Sequence, residues 1–77
     1  MSCAYVLFGV NSGSEDRVTN EVRAMAEVQE VFVSYGVYDL VVKVETDSME
    51  QMKELISHRL RTIPDVRSTL TLILVEE

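Results

Sequence analysis

Tyr35-Gly36-Val37-Tyr38-Asp39-Leu40-Val41-Val42-Lys43-Val44-Glu45 reads as a turn feeding a strand, and its place in mid-chain decides how everything else is arranged. Gly36 and Asp39 are turn formers, and the branched apolar run after them suits a pleated strand. Upstream, Val28 to Tyr35 alternates, with Val31, Val33 and Tyr35 on one side and Phe32 and Ser34 on the other. Two strands joined by so short a loop predict an antiparallel hairpin.

Toward the C-terminus, Thr46-Asp47-Ser48 closes the strand, and Asp47 with Glu50 has the spacing of a capping box. Met49, Met52, Leu55, Ile56, Leu60 and Ile63 then form an apolar helical stripe, which Pro64 stops. Val66 to Val75 reads as the last and longest strand. Toward the N-terminus, Ala4 to Val10 predicts a strand ended by Asn11-Ser12-Gly13-Ser14. Ser14 is placed to cap a helix from Glu15 to Ala26, with Glu15 and Asp16 at the positive end of its dipole and Val18, Val22 and Met25 on its inner side.

The resulting order, βαββαβ, predicts an α+β, ferredoxin-like fold: a four-stranded antiparallel sheet with both helices on one face. Leu70, Leu72 and Leu74 alternate with Thr71, Ile73 and Val75, and Leu40, Val42 and Val44 with Val41 and Lys43, so both sheet faces carry apolar side chains. Burying one Val, Leu or Ile is worth about 1.5–3 kcal/mol, which predicts that the helix-free face packs on another subunit in a sheet-to-sheet dimer.

A length of 77 residues accommodates a single domain, 1–77, and a 47% hydrophobic, 26% charged composition is that of a folded chain. The net charge of −6 argues against direct nucleic-acid binding. One cysteine, Cys3, allows no internal disulfide, and no apolar run is long enough for a membrane span or signal peptide, so the chain reads as cytoplasmic. His58 stands alone beside the helical stripe and reads as a solvated residue. No catalytic residue, metal site or cofactor is expected, and the chain reads as a binding or assembly module and not an enzyme.

Two segments offer ligand chemistry. In the loop Tyr35, Gly36, Val37, Tyr38 and Asp39, a carboxylate is available to an ammonium group, Gly36 leaves backbone amides unshielded, and tyrosines supply walls and hydroxyls. The same residues also serve a plain turn. Arg67, Ser68, Thr69 and Thr71 open the last strand with one charge and several hydroxyls, suited to a ligand's carboxylate and polar atoms, or to ordinary strand packing and a subunit salt bridge.

Taken together, the opening strand Ala4-Tyr5-Val6-Leu7, the Gly36-Val37-Tyr38-Asp39 loop running into Leu40-Val41-Val42-Lys43-Val44, and Pro64-Asp65-Val66-Arg67-Ser68-Thr69 resemble the effector-binding (RAM) domain of Lrp/AsnC regulators over nearly the whole chain. The resemblance implies face-to-face dimers assembling into rings or discs. It further implies an amino-acid effector bound between dimers by the loop and the start of the last strand, with Asp39 on the α-amino group and Ser68, Thr69 or Thr71 on polar atoms. Full-length members carry an N-terminal helix-turn-helix domain, whereas here the first strand begins almost at Met1, so the expectation is a stand-alone module that acts with full-length regulators. A pure assembly partner without ligand, a small dimeric α+β enzyme such as a cofactor-independent monooxygenase, and an ACT domain are the alternatives.

Overall fold

The computed structural model describes residues 1–75; residues 76–77, included in the single-domain reading, lie outside the described residues. Strand β1 (Ser2–Val10) is followed by helix α1 (Glu15–Arg23), strands β2 (Val28–Val33) and β3 (Leu40–Thr46), helix α2 (Met49–Glu54) and strand β4 (Val66–Leu74). Helix α2 continues through a π-helical stretch, Leu55–Leu60, where Arg61 N–H reaches back five residues to the Ile56 carbonyl. The order across the sheet is β2-β3-β1-β4 with every neighbouring pair antiparallel. This is the split βαβ arrangement the sequence predicts.

The core forms where the helices cover the sheet. Ala4, Val6, Phe8 and Val10 of β1 and Leu40, Val42 and Val44 of β3 point inward against Val18 and Val22 of α1 and Met52, Leu55, Ile56 and Leu60 of the second helix. Strand period and helix period therefore deliver their apolar residues to one layer. The pairings Phe8↔Thr69 and Val6↔Thr71 place Thr69 and Thr71 on this helix-covered side, while Leu7↔Leu70 and Tyr5↔Leu72 place the β4 leucines on the other.

Several boundaries differ from expectation for identifiable reasons. Ser34 N–H donates to the Asp39 carbonyl at 2.8 Å, so β2 stops at Val33 and not at Tyr35. Ala24 N–H and Met25 N–H close onto Asn20 and Val22, which ends α1 before Ala26. The Ser14 side chain makes no capping bond; the Glu15 carboxylate accepts from Gly13 N–H instead. At α2 the capping box sits one residue later than Asp47–Glu50: Ser48 Oγ accepts from Gln51 N–H, and the Gln51 side chain accepts from Asp47 N–H. Asp65 carries the turn into β4 at φ +72°, in the left-handed region, and Asn11 and Arg17 hold it there.

Candidate functional site: the hairpin end of the sheet

A glycine inside a strand marks a close approach or a bulge, and Gly9 marks both. The β1–β4 register shifts between Gly9 and Val10: Gly9 pairs with Ser68 and Val10 with Val66, so Arg67 and Ser68 share the space opposite one residue. A Cβ at Gly9 would overlap Ser68 Oγ and lie 3.5 Å from Arg67 Nε. Glycine at this position leaves room for Ser68 Oγ, and Arg67 packs over the same spot at ordinary contact distance.

Folded that way, the Arg67 guanidinium donates to the Val10 carbonyl, and its other terminal nitrogen stands 3.7 Å from Asp39 Oδ2. Val10 N–H donates to the same Oδ2 at 2.7 Å, and Asp39 N–H donates to the Phe8 carbonyl at 2.8 Å. The end of β1 is thus gripped on one side by the residue that opens β3 and on the other by the bulge of β4. Asp39 and Arg67 keep 30% and 52% of their side chains exposed, so an anion and a cation stand together, both reachable from water.

The predicted residues do not all converge. Asp39, Arg67 and Ser68 meet around Gly9 and Val10. Tyr35 and Val37 project into solvent at 97% and 83% exposure, Gly36 has open space where a side chain would be, and Tyr38 is half-buried. Thr69 and Thr71 are half-buried on the helix-covered side, away from Ser68. The sequence reading missed Gly9 and Val10; a lone glycine in the run Tyr5-Val6-Leu7-Phe8-Gly9-Val10 was the available signal.

The same end of the molecule is tied further by Arg17 on α1, which donates to the Pro64 carbonyl and to Asp65, while Asn11 N–H donates to the Asp65 carbonyl at 2.9 Å. The side chains of Arg17 and, next, Asn11 donate to the Asp65 carboxylate and hold it below its usual range. A cavity lies elsewhere: about 560 Å³ opens at the far end of β3 between Glu27, Glu45, Asp47, Glu50 and Arg59. Glu27 pairs there with Arg59 at 2.7 Å; its own backbone N–H, with Arg59, keeps its carboxyl below the usual range, although Oε1 is buried without a hydrogen-bond partner. Among the described residues no group of His, Cys, Asp and Glu has a metal-binding arrangement, and no helix is long and apolar enough to cross a membrane.

Comparison with known proteins connects this architecture to regulators. Residues 3–77 match the Lrp/AsnC ligand binding domain. The HTH-type transcriptional regulator FL11 of Pyrococcus horikoshii is 30% identical over 73 residues, which cover 95% of this chain and 48% of FL11. The chain therefore spans about half the length of that curated relative. The crystal structure of FFRP-DM1 superposes with a TM-score of 0.95 at 39% identity, over 97% of this chain and 100% of that one. At 17% identity, the complex of transcriptional regulator NMB0573 of Neisseria meningitidis with L-Met shares the fold, with a TM-score of 0.86 over 99% of this chain and 51% of that one. With the family's ligand-binding domain matched over residues 3–77 and the whole sheet superposing on a solved relative at 39% identity, the chain belongs to the Lrp/AsnC family.

Proposed function

We propose that this chain is a sensor module for a free amino acid, binding it at the hairpin end of the sheet and passing the signal through assembly with copies of itself and with full-length regulators of its family. The observation that carries the reading is the juxtaposition of Asp39 and Arg67 around Val10. A zwitterion presents an ammonium and a carboxylate, and these two side chains offer the complementary charges at one edge of the fold. Asp39 commits Oδ2 to Val10 N–H, which orients its second oxygen for an ammonium donor. Arg67 spends one terminal nitrogen on the Val10 carbonyl and retains donors for a carboxylate or for a polar group beside Ser68.

The exposed loop around Tyr35 and Val37 suits a site completed by a neighbouring molecule, because a single copy leaves these side chains in water. The other half of the assembly is the helix-free sheet face, where Phe32, Leu70, Leu72 and Leu74 remain 44–50% exposed and would be covered in a sheet-to-sheet dimer. L-Met in the Neisseria meningitidis complex supports the ligand class.

Thermal shift against the twenty amino acids tests the reading: a ligand present at about 100 times its Kd adds about 2.7 kcal/mol of stability. One or a few amino acids should raise Tm, and Asp39→Ala should remove that rise while the oligomer persists. No rise with any amino acid in a folded oligomer rejects the ligand class, and a rise retained by Asp39→Ala rejects the site.

A further inference from the structure

Helix α1 contributes no residue to the pair formed by Asp39 and Arg67, yet one of its side chains is bonded to the turn from which Arg67 emerges. Arg17 donates to the Pro64 carbonyl at 2.6 Å and to the Asp65 carboxylate, and Glu21, one helical turn along, accepts from the same guanidinium at 3.2 Å. A single cation thus fastens α1 to the entry of β4.

The turn needs such a fastening. Asp65 stands at φ +72°, a left-handed conformation that a residue with a side chain keeps when its surroundings hold it. Asn11 holds it by its N–H on the Asp65 carbonyl at 2.9 Å and its amide on Oδ1 at 3.4 Å, and Arg17 takes Oδ2. Two residues later comes Arg67. The strand ladder does not fix it, because Gly9 pairs with Ser68 and Val10 with Val66, which leaves Arg67 as the extra residue of the bulge. Its place is set instead by the turn on its N-terminal side and by its own bond back to the Val10 carbonyl. Residues 10–11 and 65–67 therefore close a ring: Asn11 N–H binds Asp65 on one side, and Arg67 binds Val10 on the other.

We propose that Arg17 is a positioning residue for the ligand site: by fixing Pro64 and Asp65 it sets where the Arg67 guanidinium stands beside Asp39, and so sets the affinity for the amino acid without touching it. The affinity part of the inference rests on the amino-acid reading proposed above; the hold of Arg17 on Arg67 does not. Arg17 and Asp65 are 46% and 40% exposed, so their link is open to competition from outside. A partner carboxylate that draws Arg17 off Asp65 lowers the affinity for the amino acid, and by linkage the bound amino acid lowers the affinity for that partner by the same factor.

The chain has five arginines, and Arg59, paired with Glu27 at the far end of β3, is a reference outside the ring. Exchange of arginine Nε–H protons with water, followed by nuclear magnetic resonance, reads how firmly each side chain is held. In Arg17→Met the Arg67 Nε–H should exchange about threefold faster or more, with Arg59 unchanged. Calorimetry with an amino acid that raises the wild-type Tm should give a Kd raised by about threefold or more in the same variant. Arg17→Lys, which keeps the cation, should fall between. A wild-type exchange rate at Arg67, or a wild-type Kd, in Arg17→Met overturns the inference even if Tm falls, because Arg17 is then a structural link only. So does equal loosening of Arg67 and Arg59. If no amino acid binds the wild type, the sensor reading fails, and the exchange rates alone uphold or overturn the hold of Arg17 on Arg67.

Discussion

On the helix-covered side of the sheet Val6, Phe8, Leu40 and Val42 are fully buried, whereas one residue along the same strands Leu7 and Val41 belong to a face on which Phe32, Leu70, Leu72 and Leu74 keep 44–50% of their surface. The residue types are alike and the strand alternation is the same. What differs is that α1 and α2 complete one layer within the chain, and the other layer has no partner among the described residues. Stability of the single chain should therefore depend on the first face and association on the second. Phe8→Ala puts the largest strain on this division. A buried Phe→Ala change costs about 3–5 kcal/mol, a large part of the roughly 5–15 kcal/mol typical of a domain. Urea unfolding of dilute protein should show that loss for Phe8→Ala and about 1 kcal/mol or less for Leu70→Ala, a partly exposed position. Equal losses would mean that the two faces are covered alike in the single chain.

Gly9 lies where the two faces meet the hairpin end, and it tests the comparison at its margin. Alanine there drives a methyl into Ser68 Oγ, while Arg67 stays at ordinary contact distance. The expected cost is about 1–3 kcal/mol, the range for overpacking, together with a weaker response to the amino acid that stabilises the wild type. Ser68→Gly should restore much of the lost stability in the Gly9→Ala background, because it removes the colliding atom. A Gly9→Ala protein as stable as the wild type would show that the bulge adjusts freely.

The difference between the faces was legible in the sequence, because alternation in β3 and β4 distributes apolar residues to both sides and two helices can cover only one. Which threonines and leucines of β4 go to which side was not legible, since that depends on the register with β1 and on the extra residue in the bulge at Arg67-Ser68. The cap of α2 was misplaced by one residue because Asp47-x-x-Glu50 and Ser48-x-x-Gln51 both fit the spacing, and only the path of the chain out of β3 separates them. Asp39 stood out as a candidate, but its bond to Val10 joins residues 29 apart in the chain. No local signal encodes such a contact.

That bond gives the next test. Asp39→Ala leaves Val10 N–H without its acceptor in a part-buried setting, at a cost of about 1–3 kcal/mol. Asp39→Asn retains an acceptor oxygen while removing the charge. If Asp39 serves only the turn, both variants should respond to amino acids as the wild type does, and only the alanine variant should lose stability. If it also receives an ammonium group, the asparagine variant should remain nearly as stable yet lose most of the ligand-induced rise in Tm. The pair therefore separates anchoring from recognition at one residue.

Acid should produce the smallest effect, and it should act through the helix-covered layer. Glu27 follows α1 and Asp65 precedes β4, so both carboxylates fasten helix ends to strands, and both are held below their ordinary pKa in the folded chain. For Glu27 the leading cause is its own backbone N–H, assisted by Arg59 and opposed by burial; for Asp65 it is Arg17, then Asn11. A carboxylate with a lower pKa folded than unfolded adds stability above the unfolded value, and that stability is lost as pH falls through the folded one. The urea midpoint should therefore hold steady from about pH 7 to about pH 5 and decline below about pH 4. Arg17→Met removes the group that favours ionised Asp65, so the decline should become shallower as stability near neutrality falls slightly. Salt should shrink the same difference, because Arg17 and Asp65 are 46% and 40% exposed and such pairs are readily screened. An acid transition unchanged by both Arg17→Met and Arg59→Met would place its origin outside these two links, and would leave the helix-covered layer held by its apolar contacts alone.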